Sequence, residues 1–93
     1  MSGIIRSDYA NRKIRVEGHT DSTPITKTKS RWASNWELSS YRACAVLRRL
    51  LSEGAVNSSN ISAIGFADQR PVGDNKTKAG RSMNRRVEII VEN

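Results

Sequence analysis

The sequence is poor in the residues that staple or metallate a small fold. It has one cysteine, Cys44, and one histidine, His19. A single cysteine makes no internal disulfide, and with one histidine it builds no structural zinc module of the cysteine–histidine kind. Aromatic residues are few: two Trp, two Tyr and one Phe. They are not interleaved with basic residues in the manner of an RNA-binding sheet. No apolar run exceeds a few residues, so no stretch has the length of a membrane-spanning helix. The opening MSGIIRSDYANRK has neither a long apolar core nor a small-residue cleavage site. Taken as written it carries no signal peptide or membrane anchor, which alone implies a cytoplasmic chain. Nucleophile elbows, phosphate-binding glycine loops and paired-histidine helices are absent from the sequence. His19, Asp21 and Ser22 are too close along the chain to be read as a triad, which is assembled in space. The expectation is a protein with no enzymatic activity, no cofactor and no metal, in which His19 braces its loop by hydrogen bonding.

What remains is a chain of 93 residues, 37% hydrophobic and 27% charged, with a mean hydropathy of −0.59. That is enough for one small domain with a thin core and marginal stability. Its formal net charge is +7, which points toward acidic partners. Most of the basic residues are scattered over positions 12–15, 27–31, 48–49 and 76–86. No pair of consecutive helices suits a helix-turn-helix. A basic nucleic-acid-binding module is therefore the alternative reading, resting on charge alone.

Residues 1–12 look like a lead-in with little structure. In Lys13 to Glu17 (KIRVE), Ile14 and Val16 alternate with charges, which predicts a strand with one buried face, ended by Gly18. Residues 18–34 carry Gly, Pro24 and many Ser/Thr and predict a long loop. Ser34, with Glu37 three positions on, has capping-box spacing, and the NWELSSYRACAVLRRLLSEG run that follows predicts a helix. Its apolar stripe is Leu38, Ala43, Ala45 or Val46, Leu47, Leu50 and Leu51, and Gly54 ends it. AVNSSN is a connector, Ile61 to Phe66 a short strand, and ADQRPVGDN a turn-rich loop. Asn75 to Asn84 predicts a short polar helix capped by Asn75, and Arg85 to Val91 a strand. The order strand, loop, long helix, strand, loop, short helix, strand implies an α+β fold with helices on one face of a small sheet.

One acid and one base invite a binding reading. Asp21 follows the first strand. Arg42 shares a helix side with Asn35 and Leu38, at spacings of three and four. Two arrangements fit equally well. Asp21 and Arg42 take the ammonium and carboxylate ends of a zwitterion, or they form an ion pair that ties loop to helix.

VEGHTDSTPI, SNWELSSYRACAVLRRLL and ISAIGFADQRPVGDNKTKAGRSMNRRVEIIV, together spanning residues 13–93, resemble the OmpA-like peptidoglycan-binding domain. TPI after GHTD and the SNWELS helix start are similar to its MotB branch, the stator proteins of the flagellar motor, including those of lateral-flagellum systems. The resemblance implies an α+β domain with a small mixed sheet and one long and one short helix on one face. It also implies non-covalent binding of the diaminopimelate-containing stem of peptidoglycan, cell-wall anchoring and a periplasmic setting. Asp21 and Arg42 match the family's ligand-binding pair; Asn35, Thr20 and Arg85 match further site positions. By this comparison residues 13–93 lack the domain's first strand and helix, so the chain resembles a truncated or non-functional remnant of a stator. The implied partners are peptidoglycan, motor components and a second copy through an exposed sheet edge.

Overall fold

A computed structural model describes residues 12–25 and 32–92. The lead-in, apart from Arg12, and positions 26–31 of the long loop lie outside the described residues. Strand β1 is Ile14–His19, helix α1 Asn35–Ser52, strand β2 Ile61–Gly65, helix α2 Lys78–Asn84 and strand β3 Arg86–Val91, with a short 3-10 turn at Ser58–Asn60 before β2. The sheet order is β2-β1-β3. β1 pairs parallel with β2 and antiparallel with β3, so the sheet is mixed, as expected. Among the described residues no helix is long and apolar enough to cross a membrane.

α1 begins where the capping box predicts. The Ser34 hydroxyl oxygen accepts the Trp36 N–H at 3.2 Å and donates to the Glu37 carboxylate, which satisfies an otherwise orphaned first-turn donor. At the other end Gly54 has φ of 68°, and the Gly54 and Ala55 N–H groups bond back to the Leu51 and Leu50 carbonyls. The helix stops there because a residue without a Cβ takes the left-handed conformation at no steric cost.

Two local expectations need correction. β1 does not stop at Gly18; it continues through Gly18 to His19, and both residues stay in register with neighbouring strands. The cap of α2 is Thr77, whose Oγ1 accepts from Gly80 N–H at 2.9 Å. Asn75 is unavailable for that role, because its side-chain oxygen accepts from Ser22 N–H and Asn84 Nδ2. The connector after α1 holds the 3-10 turn, which Asn57 caps through Ser59 N–H.

Alternation along β1 sends Ile14, Val16 and Gly18 toward α1 and Arg15, Glu17 and His19 to the opposite face. Ile14, Val16 and Ala43 are buried, and Val46, Leu47, Leu50, Ile61, Ala63 and Val87 pack around them. The N-terminal half of α1 meets the sheet through small residues. A β-carbon on Gly18 would lie 2.0 Å from the Ser39 carbonyl oxygen, and one on Gly65 would lie 2.2 Å from Ser40 Oγ. Helix backbone and strand ends therefore touch directly. Gly18→Ala should force them apart and cost about 1–3 kcal/mol, the usual range for overpacking. Urea denaturation of the purified variant beside the parent checks this; unchanged stability would mean the contact is looser than described.

Candidate functional site

The direct contact between α1 and the strand ends sets the Asp21 loop against the start of the helix. Asn35, the first residue of α1, donates through Nδ2 to the Thr23 carbonyl at 3.1 Å and to the Asp21 carbonyl at 3.4 Å. Thr20 Oγ1 donates to the Asp21 carbonyl at 2.9 Å, and Thr20 N–H bonds the Ala67 carbonyl at 2.8 Å. Ala67 is buried at φ of 52°, a conformation that non-glycine residues seldom adopt. Its N–H bonds Ser39 Oγ at 3.0 Å, and Ser39 Oγ itself donates to the Trp36 carbonyl at 3.1 Å. Ser39, wholly buried, thus ties the helix to the loop after β2.

Asp21 is the centre of this arrangement. Its Oδ1 accepts the Thr23 N–H at 2.9 Å, and its Oδ2 accepts Arg85 Nη1 at 2.5 Å. Asp21 is only 7% exposed, because the turn at Thr23 and the Arg85 guanidinium cover it. Burial pushes the Asp21 carboxyl up, but the Thr23 hydrogen bonds and Arg85 outweigh it and hold the group below its ordinary range.

The structure therefore brings together Asp21, Asn35, Thr20 and Arg85. It makes no Asp21–Arg42 ion pair. Arg85, from the α2–β3 junction, is the carboxylate's partner. Arg42 is half-buried on α1, two turns beyond Asn35, and its side chain makes no ion pair or hydrogen bond among the described residues. Three surface depressions, beside Lys13, beside Cys44 and beside Val46, are lined by neither Asp21 nor Arg42.

The structure adds a residue that sequence reasoning passed over. Asn84 is fully buried. Its Oδ1 accepts the Val72 and Gly73 N–H groups at 2.7 and 2.8 Å, and its Nδ2 donates to the Gly73 carbonyl and to Asn75 Oδ1. Asn75 Oδ1 also accepts Ser22 N–H at 3.2 Å. Asn84 thus holds the loop that supports the Asp21 turn and delivers Arg85 beside it. The signal was present in the RSMNRR ending: an Asn closing a short helix next to the matched arginine.

His19 does not brace the loop by hydrogen bonding, for neither ring nitrogen has a hydrogen-bond partner among the described residues. It is 2% exposed and stacks on Phe66, with ring centroids 5.3 Å apart. Burial, and after it the charge of Arg86, keeps the imidazole below its ordinary value.

The model of the OmpA family matches residues 1–85. This chain belongs to the OmpA family. It is 41% identical to Motility protein B of Bacillus subtilis over 80 residues, which are 86% of this chain and 30% of that protein. The fold superposes on the C-terminal domain of Helicobacter pylori MotB with a TM-score of 0.86 and 32% identity, covering 99% of this chain and 70% of that domain. It also superposes on the cell wall anchor of the T6SS from Pseudomonas aeruginosa, with a TM-score of 0.78 and 35% identity over 95% of this chain and 58% of that one. The chain spans between 21% and 43% of the length of the curated relatives it matches. The α+β OmpA-like fold of the MotB branch, expected from the motifs, is thus the fold found.

Two outcomes test this network. Asn84→Ala leaves buried donors and acceptors without partners and should cost about 1–3 kcal/mol or more, measured by urea titration. Asp21 is held below its unfolded value, so its contribution to stability is complete above about pH 4 and is lost as pH falls through the lower folded value. Melting temperature followed from pH 6 to pH 2 should fall more steeply in the parent than in Asp21→Asn.

Proposed function

We propose that the chain binds peptidoglycan non-covalently through the diaminopimelate residue of its stem peptide and so anchors its parent protein to the cell wall. The observation that carries this reading is Asn35, which hydrogen-bonds the Asp21 loop while sitting on the helix side that also bears Arg42. A helix rises 1.5 Å per residue, so the Arg42 backbone stands about 10 Å along α1 from Asn35. Long helical side chains lean toward the N-terminus, which brings an unengaged guanidinium back toward the loop.

In this reading Asp21 receives the ligand's ammonium and Arg42 its carboxylate, as a bidentate fork. Thr20 and Asn35 fix the Asp21 backbone, and Arg85 balances the buried carboxylate. Because Arg85 is 44% exposed, its side chain has room to swing aside when an ammonium takes its place. The setting is the periplasmic face of the cell wall, within a MotB-like stator. Motor components and a second copy paired through the outer edge of β2 or β3 are the further partners. Membership of the OmpA family and the likeness to a cell wall anchor support the reading.

The test is co-sedimentation of the purified chain with nucleic-acid-free sacculi, with folding followed in parallel. Charge-assisted hydrogen bonds contribute about 1.5–3 kcal/mol each. Arg42→Ala should weaken binding roughly tenfold to a hundredfold while stability holds, and Arg42→Lys should restore only part, since an ammonium forms no planar fork. Asp21→Asn keeps the acceptor for Thr23 but removes the charge, and should also bind poorly. Full sacculus binding by folded Arg42→Ala sinks the proposal. A steep salt dependence on DNA with no sacculus binding would favour the nucleic-acid reading instead.

A further inference from the structure

The face of the sheet turned away from α1 carries a cluster unconnected with the stem-peptide reading. β1 and β3 set Glu17 opposite Glu88 and His19 opposite Arg86. Two like charges directly opposite on one face of a sheet repel. Each carboxylate is held from one side by an arginine: Arg15 Nε lies 2.6 Å from Glu17 Oε2, and Arg86 Nε lies 2.5 Å from Glu88 Oε2. The other oxygen of Glu17 points at His19, with Oε1 3.6 Å from Nε2. That is too far for a hydrogen bond. Both nitrogens of this buried ring lack a hydrogen-bond partner among the described residues, although buried polar groups are normally paired. The ligand-type atoms of Glu17, His19 and Glu88 all lie within 4.8 Å of one another.

We propose that Glu17, His19 and Glu88 form a site for one divalent first-row transition ion, with Zn²⁺ as the ion that suits it. One imidazole and two carboxylates make a three-ligand set that leaves a fourth, tetrahedral position to water. Bonds of about 2.0–2.2 Å to a tetrahedral ion place neighbouring ligand atoms roughly 3.3–3.6 Å apart. Glu17 and His19 already stand at the upper end of that range. Glu88, whose side chain is 39% exposed, closes the remaining gap by a small side-chain rotation and gives the ion its way in. Mg²⁺ and Ca²⁺ prefer all-oxygen shells and suit an imidazole poorly.

The flanking arginines need not leave. Arg15 also bonds Glu92 at 2.6 Å, and Arg86 also bonds the Arg70 carbonyl at 3.0 Å. Each occupies one carboxylate oxygen and leaves the other. The absence of a cysteine–histidine module in the sequence does not bear on this set, because carboxylates supply two of its three ligands. The ion's role is structural: it fastens β1 to β3 one residue before Thr20 and Asp21.

The test uses the full chain, freed of metal with EDTA and titrated with Zn²⁺ in a non-chelating buffer at pH 7. We expect one ion per chain and a rise in melting temperature that EDTA reverses. His19 is the sole histidine, so its imidazole ¹⁵N signals report without ambiguity, and Nε2 should shift on titration. Glu88→Gln, at a partly exposed position, should fold and bind at least tenfold more weakly. Cys44→Ser should bind as the parent does. His19→Gln should abolish binding, but the Glu88 variant and the imidazole signal decide the matter if it fails to fold. No stoichiometric binding, an unmoved His19 signal, or undiminished affinity in Glu88→Gln would overturn the proposal, as would binding that vanishes in Cys44→Ser.

Discussion

The close approach of the α1 backbone to the ends of β1 and β2 governs the rest of the molecule. It exists because Gly18 and Gly65 present no side chains where Ser39 and Ser40 cross them. Once the helix sits that low, Ser39 Oγ reaches the loop after β2 and fixes Ala67 in its left-handed conformation. Ala67 in turn holds Thr20, and the helix N-terminus arrives with Asn35 beside Asp21. With larger residues at these crossings the helix would ride higher on the sheet. The apolar half of α1, from Ala43 to Leu50, would pack much as before, but the loop would lose its supports. The core stabilises the fold, whereas the glycine–serine contact positions the site.

Charge is distributed in a way the net value hides. A formal charge of +7 suggests a basic surface, yet Arg15, Arg49, Arg85 and Arg86 are all engaged by carboxylates. The two faces of β1 therefore do different work. The helix side is apolar or small and carries the packing. The other side carries an ion pair within β1, another within β3, the Arg15–Glu92 pair that reaches from β1 to the end of β3, and a buried imidazole. Burying the Asp21 carboxylate is tolerable because the Thr23 N–H and the Arg85 guanidinium meet it, the general condition for a buried charge.

Much of the fold was legible. The alternation of Ile14 and Val16, the Ser34–Glu37 capping box and the Gly54 stop each gave an element whose physical cause is local. The extension of β1 through Gly18 was not legible, because a glycine after a strand normally signals a turn. Here it marks a close approach set by a helix twenty residues away in sequence. The cap at Thr77 was hidden for a similar reason: Asn75 has the better local chemistry but is taken by Ser22 and Asn84, which only the tertiary fold brings near. Within the candidate site, Asp21, Asn35, Thr20 and Arg85 were legible as matched motif positions, and the structure joins them by hydrogen bonds. That Arg85 rather than Arg42 neutralises Asp21 depends on where the α2–β3 junction falls, which no local pattern encodes. Ser39 and Asn84, both wholly buried, escaped notice because polar residues within helices ordinarily face water.

The Asp21–Arg85 contact joins positions 64 apart in the chain, and Ser22 meets Asn75 across 53. The links from Asn35 to the same loop span only 14 and 12. Short-range closures cost less chain entropy and form sooner than distant ones. As the polypeptide emerges in order from the ribosome, the loop and the start of α1 can therefore meet while the Asp21 carboxylate still lacks its guanidinium. At that stage one side of β1 also lies unpaired, awaiting β3. The Asp21 cluster is thus completed only once the α2–β3 junction has been made, and a nascent chain halted before residue 85 holds half of that cluster and a β1 still without β3.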